Sequence, residues 1–405
     1  MKQATSGRGR LRGLWLAREL PFPHDTGDRI YSANLARSLA EAGVALTLVG
    51  LQPTAGVSVP MDWPIRWEVV PGRARSALRS LFSTMPLVAA AHATSSYRNA
   101  LRSLVEEEWD FVVFDQYGLG WALETFISRR APAKAPVLVH VAHDHEASVM
   151  RSLYQNFGGS TVKRLALWQN FLKTKSFEKA IASSVDLVTA ITEEDSLKFS
   201  NDAPGVRTIV LKPGYSGSVC SGRVLDAETP RRVVLVGSFK WIAKQENLRQ
   251  FLEVADPIFA AKGIEFQVVG FMPSDFAASV TRYARATQIV GPVENLQPYF
   301  DRARIALVPE SIGGGFKLKF LDYIFGRVPV ATLTQAAAGL PSEILEAMLC
   351  RDSLRDLALG VADLIDRVED LNAMQEAAFD RAQCMFRWQD RGNALLAAIR
   401  ERSDD

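Results

Sequence analysis

The chain has 405 residues, 48% of them hydrophobic, and a formal net charge of +2 at pH 7. That length exceeds what a single hydrophobic core usually serves, so two domains of similar size are expected, and the balanced charge excludes a nucleic-acid coat or an acidic solvating tail. Three widely spaced cysteines, Cys220, Cys350 and Cys384, fit a reducing compartment without a disulfide framework or zinc site, and no apolar run is long enough to span a bilayer.

In chain order, residues 14–17 (LWLA) form a short apolar run followed by the Pro/Gly-rich loop ELPFPHDTGD. An amphipathic helix is predicted from about Arg29 to Ala42, ended by Gly43, and a buried strand over 44–51 (VALTLVGL). Strand, glycine loop, helix and strand make the βαβ unit of a doubly wound parallel sheet. Arg73, Arg75 and Arg79 then lead into Leu81, Phe82, Met85 and Leu87. A solvated helix face accounts for that basic run about as well as an anionic membrane surface does, so peripheral membrane contact stays open.

Further strands are predicted over 109–114 (WDFVVF), ending at Asp115-Gln116, and over 137–142 (VLVHVA), ending at His143-Asp144-His145-Glu146. Residues 151–182 read as one long helix, and 185–189 and 208–213 as strands. A small, polar stretch at 216–230 suits a linker. A second series starts at 232–237 (RVVLVG) and continues with a helix near 246–259 and a strand at 265–270. Shorter strands at 288–290 and 305–309 flank a helix near 296–303, and a last strand at 328–332 follows the segment GGGFKLKFLDYIFGRVPV at 313–330.

That segment carries the chemistry. Gly313, Gly314 and Gly315 leave backbone amides bare, Lys317 and Lys319 follow, and the chain then reads as helical through Phe316, Phe320, Tyr323 and Ile324. A glycine loop feeding a helix N-terminus beside two lysines is suited to phosphate, so a nucleotide ligand is the first expectation.

With these residues in hand, the chain resembles a GT-B glycosyltransferase of the family 4, glycosyl transferases group 1 type. The resemblance rests on the turn Val236-Gly237-Ser238-Phe239-Lys240-Trp241 and on the pattern from Pro309 through Gly313, Gly315, Lys317, Lys319 and Asp322 to Gly326, Pro329 and Val330. It extends to Gly291-Pro292-Val293-Glu294-Asn295-Leu296, to the opening PFPHDTGDRIYSANLARSLAEAG, and to the box His143-Asp144-His145-Glu146. It implies an α/β GT-B fold with two Rossmann-like doubly wound domains facing each other across a cleft. The N-terminal domain (1–215) would bind the acceptor and the C-terminal domain (216–385) the nucleotide sugar, with a helix at 386–405 packing back towards the first domain. Two departures from the family pattern stand out: of its paired glutamates the second is Asp322 and the first falls at Gly314, and where relatives often have Arg and Lys after the first strand of the second domain the turn offers Ser238, Lys240 and Lys244.

The roles follow from resemblance and residue chemistry together. Lys319, Lys244 and the Gly313, Gly314 and Gly315 amides would stabilise the departing diphosphate without a metal, with Lys317 or Lys240 assisting, and Asp322 would take the ribose. The resemblance assigns the base to the segment holding Val293 and Leu296. His143, at a strand end, could bond the donor sugar or orient the acceptor, with Asp144 and Glu146 holding its tautomer or accepting a proton. His140, inside the strand, reads as a core histidine; a metal site of His143, His145 and Glu146 lacks an evident fourth ligand. Gly27 and Asp28 belong to the first glycine loop, and His24 and Asp25 could touch the acceptor, although HDTG serves equally as a turn and N-cap.

The function expected is retaining transfer from a nucleotide-sugar donor to a glycan, lipid-linked or protein acceptor. No cofactor, metal or nucleic acid is expected, and the address would be cytoplasmic, at most on the inner face of a membrane. A nucleotide-sugar epimerase or hydrolase of the same body, and a non-catalytic nucleotide-binding scaffold, are the competing readings. A dehydrogenase is disfavoured because the first loop lacks GxGxxG spacing.

Overall fold

A computed structural model describes residues 10–24, 26–52, 59–75, 83–128, 135–282, 284–312 and 315–404. The chain divides into two compact units. The first takes Met1–Met150, Ala166–Lys212 and Trp388–Asp405, and the second Arg151–Leu165 and Pro213–Arg387.

The first unit is built on a seven-stranded parallel sheet in the order β3-β2-β1-β4-β5-β6-β7. Its strands are β1 (Arg12–Glu19), β2 (Ala45–Leu51), β3 (Ile65–Val70), β4 (Phe111–Asp115), β5 (Val137–Val141), β6 (Leu187–Ala190) and β7 (Arg207–Val210). The inner strands are buried on both faces, which is why they read as unbroken apolar runs rather than alternating ones. Helix Gly27–Glu41 connects β1 to β2. Gly43 follows it at φ +102° and donates its N–H to the Ala40 carbonyl, a left-handed helix end that glycine adopts without strain.

The C-terminal helix Trp388–Asp404 packs along helix Gly27–Glu41. The contact is close: a Cβ at Gly392 would lie 2.4 Å from the Ser38 carbonyl carbon. The long helix read over 151–182 is instead two, Glu146–Asn156 and Thr161–Ala182. Gly158 and Gly159 separate them, where the backbone freedom of glycine makes continued helix costly. Strand β3 and the helices Leu87–His92 and Ser95–Leu104 lie where no element was expected, although Tyr97, Leu101 and Leu104 recur at helical spacing and are buried.

The second unit has a six-stranded parallel sheet in the order β10-β9-β8-β11-β12-β13. Its strands are β8 (Arg232–Val236), β9 (Glu265–Val269), β10 (Thr287–Gly291), β11 (Ile305–Val308), β12 (Val330–Leu333) and β13 (Leu349–Arg351). Phe251 and Phe259 of helix Ile242–Ala261 and Phe266 of β9 meet edge to face with centroids 5.7–6.2 Å apart, fixing helix to sheet.

In both sheets the strand order reverses beside the first strand, at β1/β4 and at β8/β11. Helices leave to opposite faces there, so the carboxyl ends of those strands border an open crevice. Each unit places its polar residues at that point.

Candidate functional site

In the second unit, β8 runs into Gly237-Ser238 and β11 into Pro309-Glu310, side by side at the reversal point. Gly270, just past β9, sits at φ +129°, and a Cβ there would fall 2.0 Å from the Gly237 carbonyl oxygen. Only a bare backbone at 270 lets the Gly237 turn lie where it does. Helix Lys319–Phe325 is pinned over the crevice by buried Tyr323, whose hydroxyl accepts from the Val236 N–H at 2.8 Å. The turn therefore sits close to the first residue of the helix: the Lys319 ammonium is 3.5 Å from the Cβ position of Gly237.

Lys319 makes an ion pair with Glu310 at 2.6 Å, and both side chains are largely buried. Burial pushes the Glu310 carboxyl up, but Lys319, with Lys317 and Lys244 behind it, holds it below the ordinary value. Its second oxygen, Oε2, is buried without a hydrogen-bond partner. The charges of three lysines thus converge on this one carboxylate at the end of β11. Lys317 folds back to donate to the Gly315 carbonyl at 3.0 Å. Lys240 lies over the Phe271 ring, 5.3 Å from its centroid.

The helix expected to begin near Phe316 starts only at Lys319 and is 7 residues long. Gly315 is at φ +65°, outside right-handed helical space, so the turn cannot run straight on from the glycines. Gly313 and Gly314 lie outside the described residues, as does Asp25.

Sequence reading missed Asn247. This buried side chain on helix Ile242–Ala261 donates to the Ile312 carbonyl at 2.7 Å. Its oxygen accepts from the Ser311 and Ile312 N–H groups at 3.0 and 2.8 Å, tethering the backbone just before the glycines. A polar residue in line with the apolar stripe Ala243, Leu248, Phe251 and Leu252 was the available signal. Glu310 gives no spacing signal in the sequence, because it stands at a strand end nine residues before Lys319 and meets it only in space.

Asp322 is one turn beyond Lys319. Burial pushes its carboxyl up to about 7, with Lys319 opposing. The sign is the reverse of the usual carboxylate. Because the folded value exceeds the unfolded one of 3.8, Asp322 favours folding at pH below about 4, and that contribution is lost as pH rises through about 7. The ribose role expected of Asp322 needs an ionised carboxylate, so on that expectation nucleoside diphosphate affinity rises up to about tenfold per unit towards pH 7 and levels off above it. Titration calorimetry from pH 5.5 to 8.5 checks this: Asp322→Asn should flatten the Asp322 component, and an identical profile in the variant would remove Asp322 from the ribose.

Val293 and Leu296 are half-buried between β10 and helix Gln297–Asp301 and pack against the core of the second unit. Val293 also borders a cavity of about 500 Å³ shared with Arg232, Gln267, Asn295 and Tyr299. Trp241 is 52% exposed at the start of helix Ile242–Ala261.

In the first unit, Asp115 ends β4 and His143 lies two residues past β5. His143 Nε2 is 2.9 Å from Asp115 Oδ1, while the Gln116 amide approaches Nδ1 at 3.1 Å. An amide NH₂ can only donate and a carboxylate only accepts, so these two partners set the neutral imidazole with its proton on Nε2. Asp115 is itself held by the Trp15 indole N–H at 3.0 Å, and the Ser32 hydroxyl stands 3.5 Å from Nε2. The tautomer expected to depend on Asp144 and Glu146 is thus set by Asp115 and Gln116, because the neighbouring strand end faces the ring while the box residues turn into the next helix. Tyr31 meets His143 edge to face at 4.9 Å and Trp388 at 5.5 Å, so the C-terminal helix backs this side of the ring.

Glu146 begins helix Glu146–Asn156 and is buried; burial first, then Asp144 and Glu178, raise its carboxyl well above the usual range. Glu178, from helix Thr161–Ala182, accepts from the Glu146 and Ala147 N–H groups at 2.9 Å each and caps that helix. Burial nevertheless raises the Glu178 carboxyl to about 8. His145 turns away from His143 to Ser148 at 2.7 Å and Asp202 at 3.1 Å. His140 is fully buried in β5, and desolvation lowers it to about 4, so it stays neutral.

Gly27 and Asp28 open helix Gly27–Glu41, where Asp28 pairs with Arg18 at 3.0 Å. Burial works against ionisation of Asp28, but Arg18, the Thr26 hydroxyl and His143 hold its carboxyl at about 2. His24 is exposed and stacks on Phe22 at 4.8 Å. Among the described residues no three His, Cys, Asp or Glu side chains are grouped so as to hold a metal ion, and no helix is long and apolar enough to cross a membrane.

Residues 230–367 match the protein family described as glycosyl transferases group 1. Among solved structures, sucrose-phosphate synthase from Thermosynechococcus elongatus aligns at a TM-score of 0.71 with 17% identity, covering 97% of this chain and 99% of that one. WaaG, a glycosyltransferase involved in lipopolysaccharide biosynthesis, aligns at 0.68 with 16% identity over 96% and 99%. HepE from Anabaena, solved with UDP and glucose, aligns at 0.67 with 13% identity over 97% and 100%. Comparison with curated proteins by sequence gives no match. Two parallel sheets with reversal points of the same kind and these alignments give the chain the GT-B fold, and residues 230–367 in its second unit match the glycosyl transferases group 1 family.

Proposed function

We propose that the protein transfers a sugar from a nucleoside-diphosphate donor to a hydroxyl of a glycan, lipid-linked or protein acceptor, with retention at the anomeric carbon and without a metal. The observation that carries the reading is the cationic crevice at the end of β11, where Lys319, Lys317 and Lys244 surround Glu310 and Asp322 follows one turn on. In transfer, the bond from the sugar's anomeric carbon to phosphate oxygen breaks, and the diphosphate leaves with the electron pair. The acceptor oxygen bonds to the same face of that carbon, and its proton passes to the leaving phosphate. Charge grows on the diphosphate as this happens, so fixed ammonium groups stabilise the transition state more than the ground state.

Glu310 gives the crevice a resident anion, so an arriving diphosphate shares Lys319 with a carboxylate already aimed at it. We assign Asp322 to the ribose, the segment with Val293 and Leu296 to the base, and Gly313, Gly314 and Gly315 to the phosphates. His143, Asp144 and Glu146, with Gly27, Asp28, His24 and Asp25, are assigned to the acceptor and sugar in the first unit. Peripheral membrane contact is part of the same reading. Supporting a nucleotide donor, one solved HepE structure holds UDP-glucose and another UDP.

A thermal-shift screen tests the donor directly. A nucleoside diphosphate at one hundred times its dissociation constant adds about 2.7 kcal/mol to the stability of the state it binds, and the melting temperature should rise by several degrees. No rise with any nucleoside diphosphate or its sugar would overturn the reading. Turnover should be unchanged by a chelator; loss on chelation with rescue by manganese would overturn the metal-free part.

A further inference from the structure

We propose that the rings of Phe22, His24, Trp63 and Trp67 form a stacking platform for a pyranose ring of a glycan acceptor, beyond the residue that receives the new sugar. The inference rests on the glycosyl-transfer reading above and narrows its acceptor to a chain of sugars. All four residues belong to the first unit. Phe22 and His24 come from the loop after β1, Trp63 stands two residues before β3, and Trp67 lies within that edge strand. His24 stacks on Phe22 at 4.8 Å, Phe22 meets Trp63 and Trp67 edge to face at 5.5 and 5.6 Å, and the two indoles are 6.1 Å apart. The Arg37 guanidinium lies over Trp63, 4.9 Å from its centroid, and is itself paired with Glu41 at 2.8 Å. The rings are thus held in place by one another, so little side-chain freedom is lost when a ligand arrives.

The cluster is not core. His24 is exposed, and Phe22, Trp63 and Trp67 are half-buried, whereas Trp15, Trp109, Trp121 and Trp388 are buried. Met61, two residues before Trp63, is 86% exposed, and Val69, next to Trp67 on the same face of β3, is 45% exposed. The Trp67 indole N–H donates to the Pro60 carbonyl at 3.2 Å. That of Trp63 has no hydrogen-bond partner among the described residues, and neither does either ring nitrogen of His24. Burial holds the His24 ring below its ordinary pKa, so it stacks uncharged at neutral pH.

A sugar ring answers both features. Its axial C–H bonds make one face apolar and slightly positive, which the negative face of an aromatic ring attracts. Its hydroxyls project from the rim, where an indole N–H and a neutral imidazole can bond them. His24 is three residues from Gly27, at most about 11 Å of chain, and Gly27 and Asp28 are assigned to the acceptor. A glycan entering there sets its following residues against the rings. A membrane fits less well, because exposed Arg37 touches Trp63 and exposed Asp62 precedes it, so the charge has no single sign. A stable protein interface takes about 800 Å² from each side, more than four rings packed on one another offer.

The test uses the purified full chain and three linear hexasaccharides, of β-1,4-glucose, α-1,4-glucose and β-1,4-N-acetylglucosamine. Saturation-transfer NMR is expected to show binding of at least one, with the strongest transfer to the ring C–H protons of one sugar face. Trp63→Ala should weaken that binding about 5- to 10-fold, and Trp63→Phe, which keeps a ring, should hold it within about twofold of wild type. Melting temperatures establish that the variants fold; should Trp63→Ala fail, the map on the wild-type chain still decides. Absence of transfer to all three sugars, or unchanged binding by folded Trp63→Ala, overturns the proposal. So does a concentration-dependent dimer dispersed by Trp63→Ala, which would give the rings to a second copy. Sugar binding is read apart from the nucleoside diphosphate shift, so loss of the platform leaves the donor reading standing, and absence of the shift overturns only the latter.

Discussion

Lys319→Ala is expected to lower kcat/KM about 100- to 1,000-fold, the scale on which one fixed donor to a developing charge acts. The same change should cost about 3–5 kcal/mol of stability, because it leaves buried Glu310 without its hydrogen-bonded ion-pair partner and with only the longer-range charges of Lys317 and Lys244. The two effects can be separated. Glu310→Gln in the Lys319→Ala background removes the orphaned charge, so it should return much of the melting temperature and none of the activity. Steady-state kinetics and thermal unfolding on the single and double variants read both quantities. If the double variant regained activity with stability, Lys319 would be a structural partner of Glu310 and not a contact of the diphosphate.

His143→Ala is expected to cut turnover about 100-fold or more while leaving nucleoside diphosphate affinity within about twofold, since general acid–base and positioning groups contribute on that scale. The ring belongs to the first unit and the nucleotide site is assigned to the second. Removing the ring also withdraws one partner from buried Asp115, which keeps the Trp15 indole N–H. Asp115→Asn therefore provides the control. It preserves the ring but can present its NH₂ to Nε2, which favours the other tautomer, so kcat should fall and its pH profile should shift. Calorimetric loss of nucleotide affinity in His143→Ala equal to the loss of turnover would assign the ring to structure alone.

Much of this was readable beforehand. Apolar runs such as VLVHV and RVVLV are short, unbroken and separated by helical patterns, and strands of that kind can be buried only in a parallel sheet covered on both faces. The lysines near the glycine run were equally legible, because cations beside bare backbone suit an anion. The short start of helix Lys319–Phe325 was not, since it depends on Gly315 taking a positive φ that the helical spacing of Phe316 and Phe320 conceals. Sequence singled out His143 but misread its partners. Asp115 and Gln116 lie 28 and 27 residues away and meet it only because β4 and β5 are adjacent in register.

By itself, then, the sequence determined the two sheets, their parallel order and the residue types gathered after their strands, because hydrophobic periodicity and glycine placement are local properties. Only the tertiary structure decided which charges meet. Glu310 found Lys319, Asp115 found His143 and Glu178 found the amides of helix Glu146–Asn156 through neighbouring strands and packed helices. Coulomb and hydrogen-bond energies depend on distance and burial in space, and neither is written in the spacing of residues along the chain.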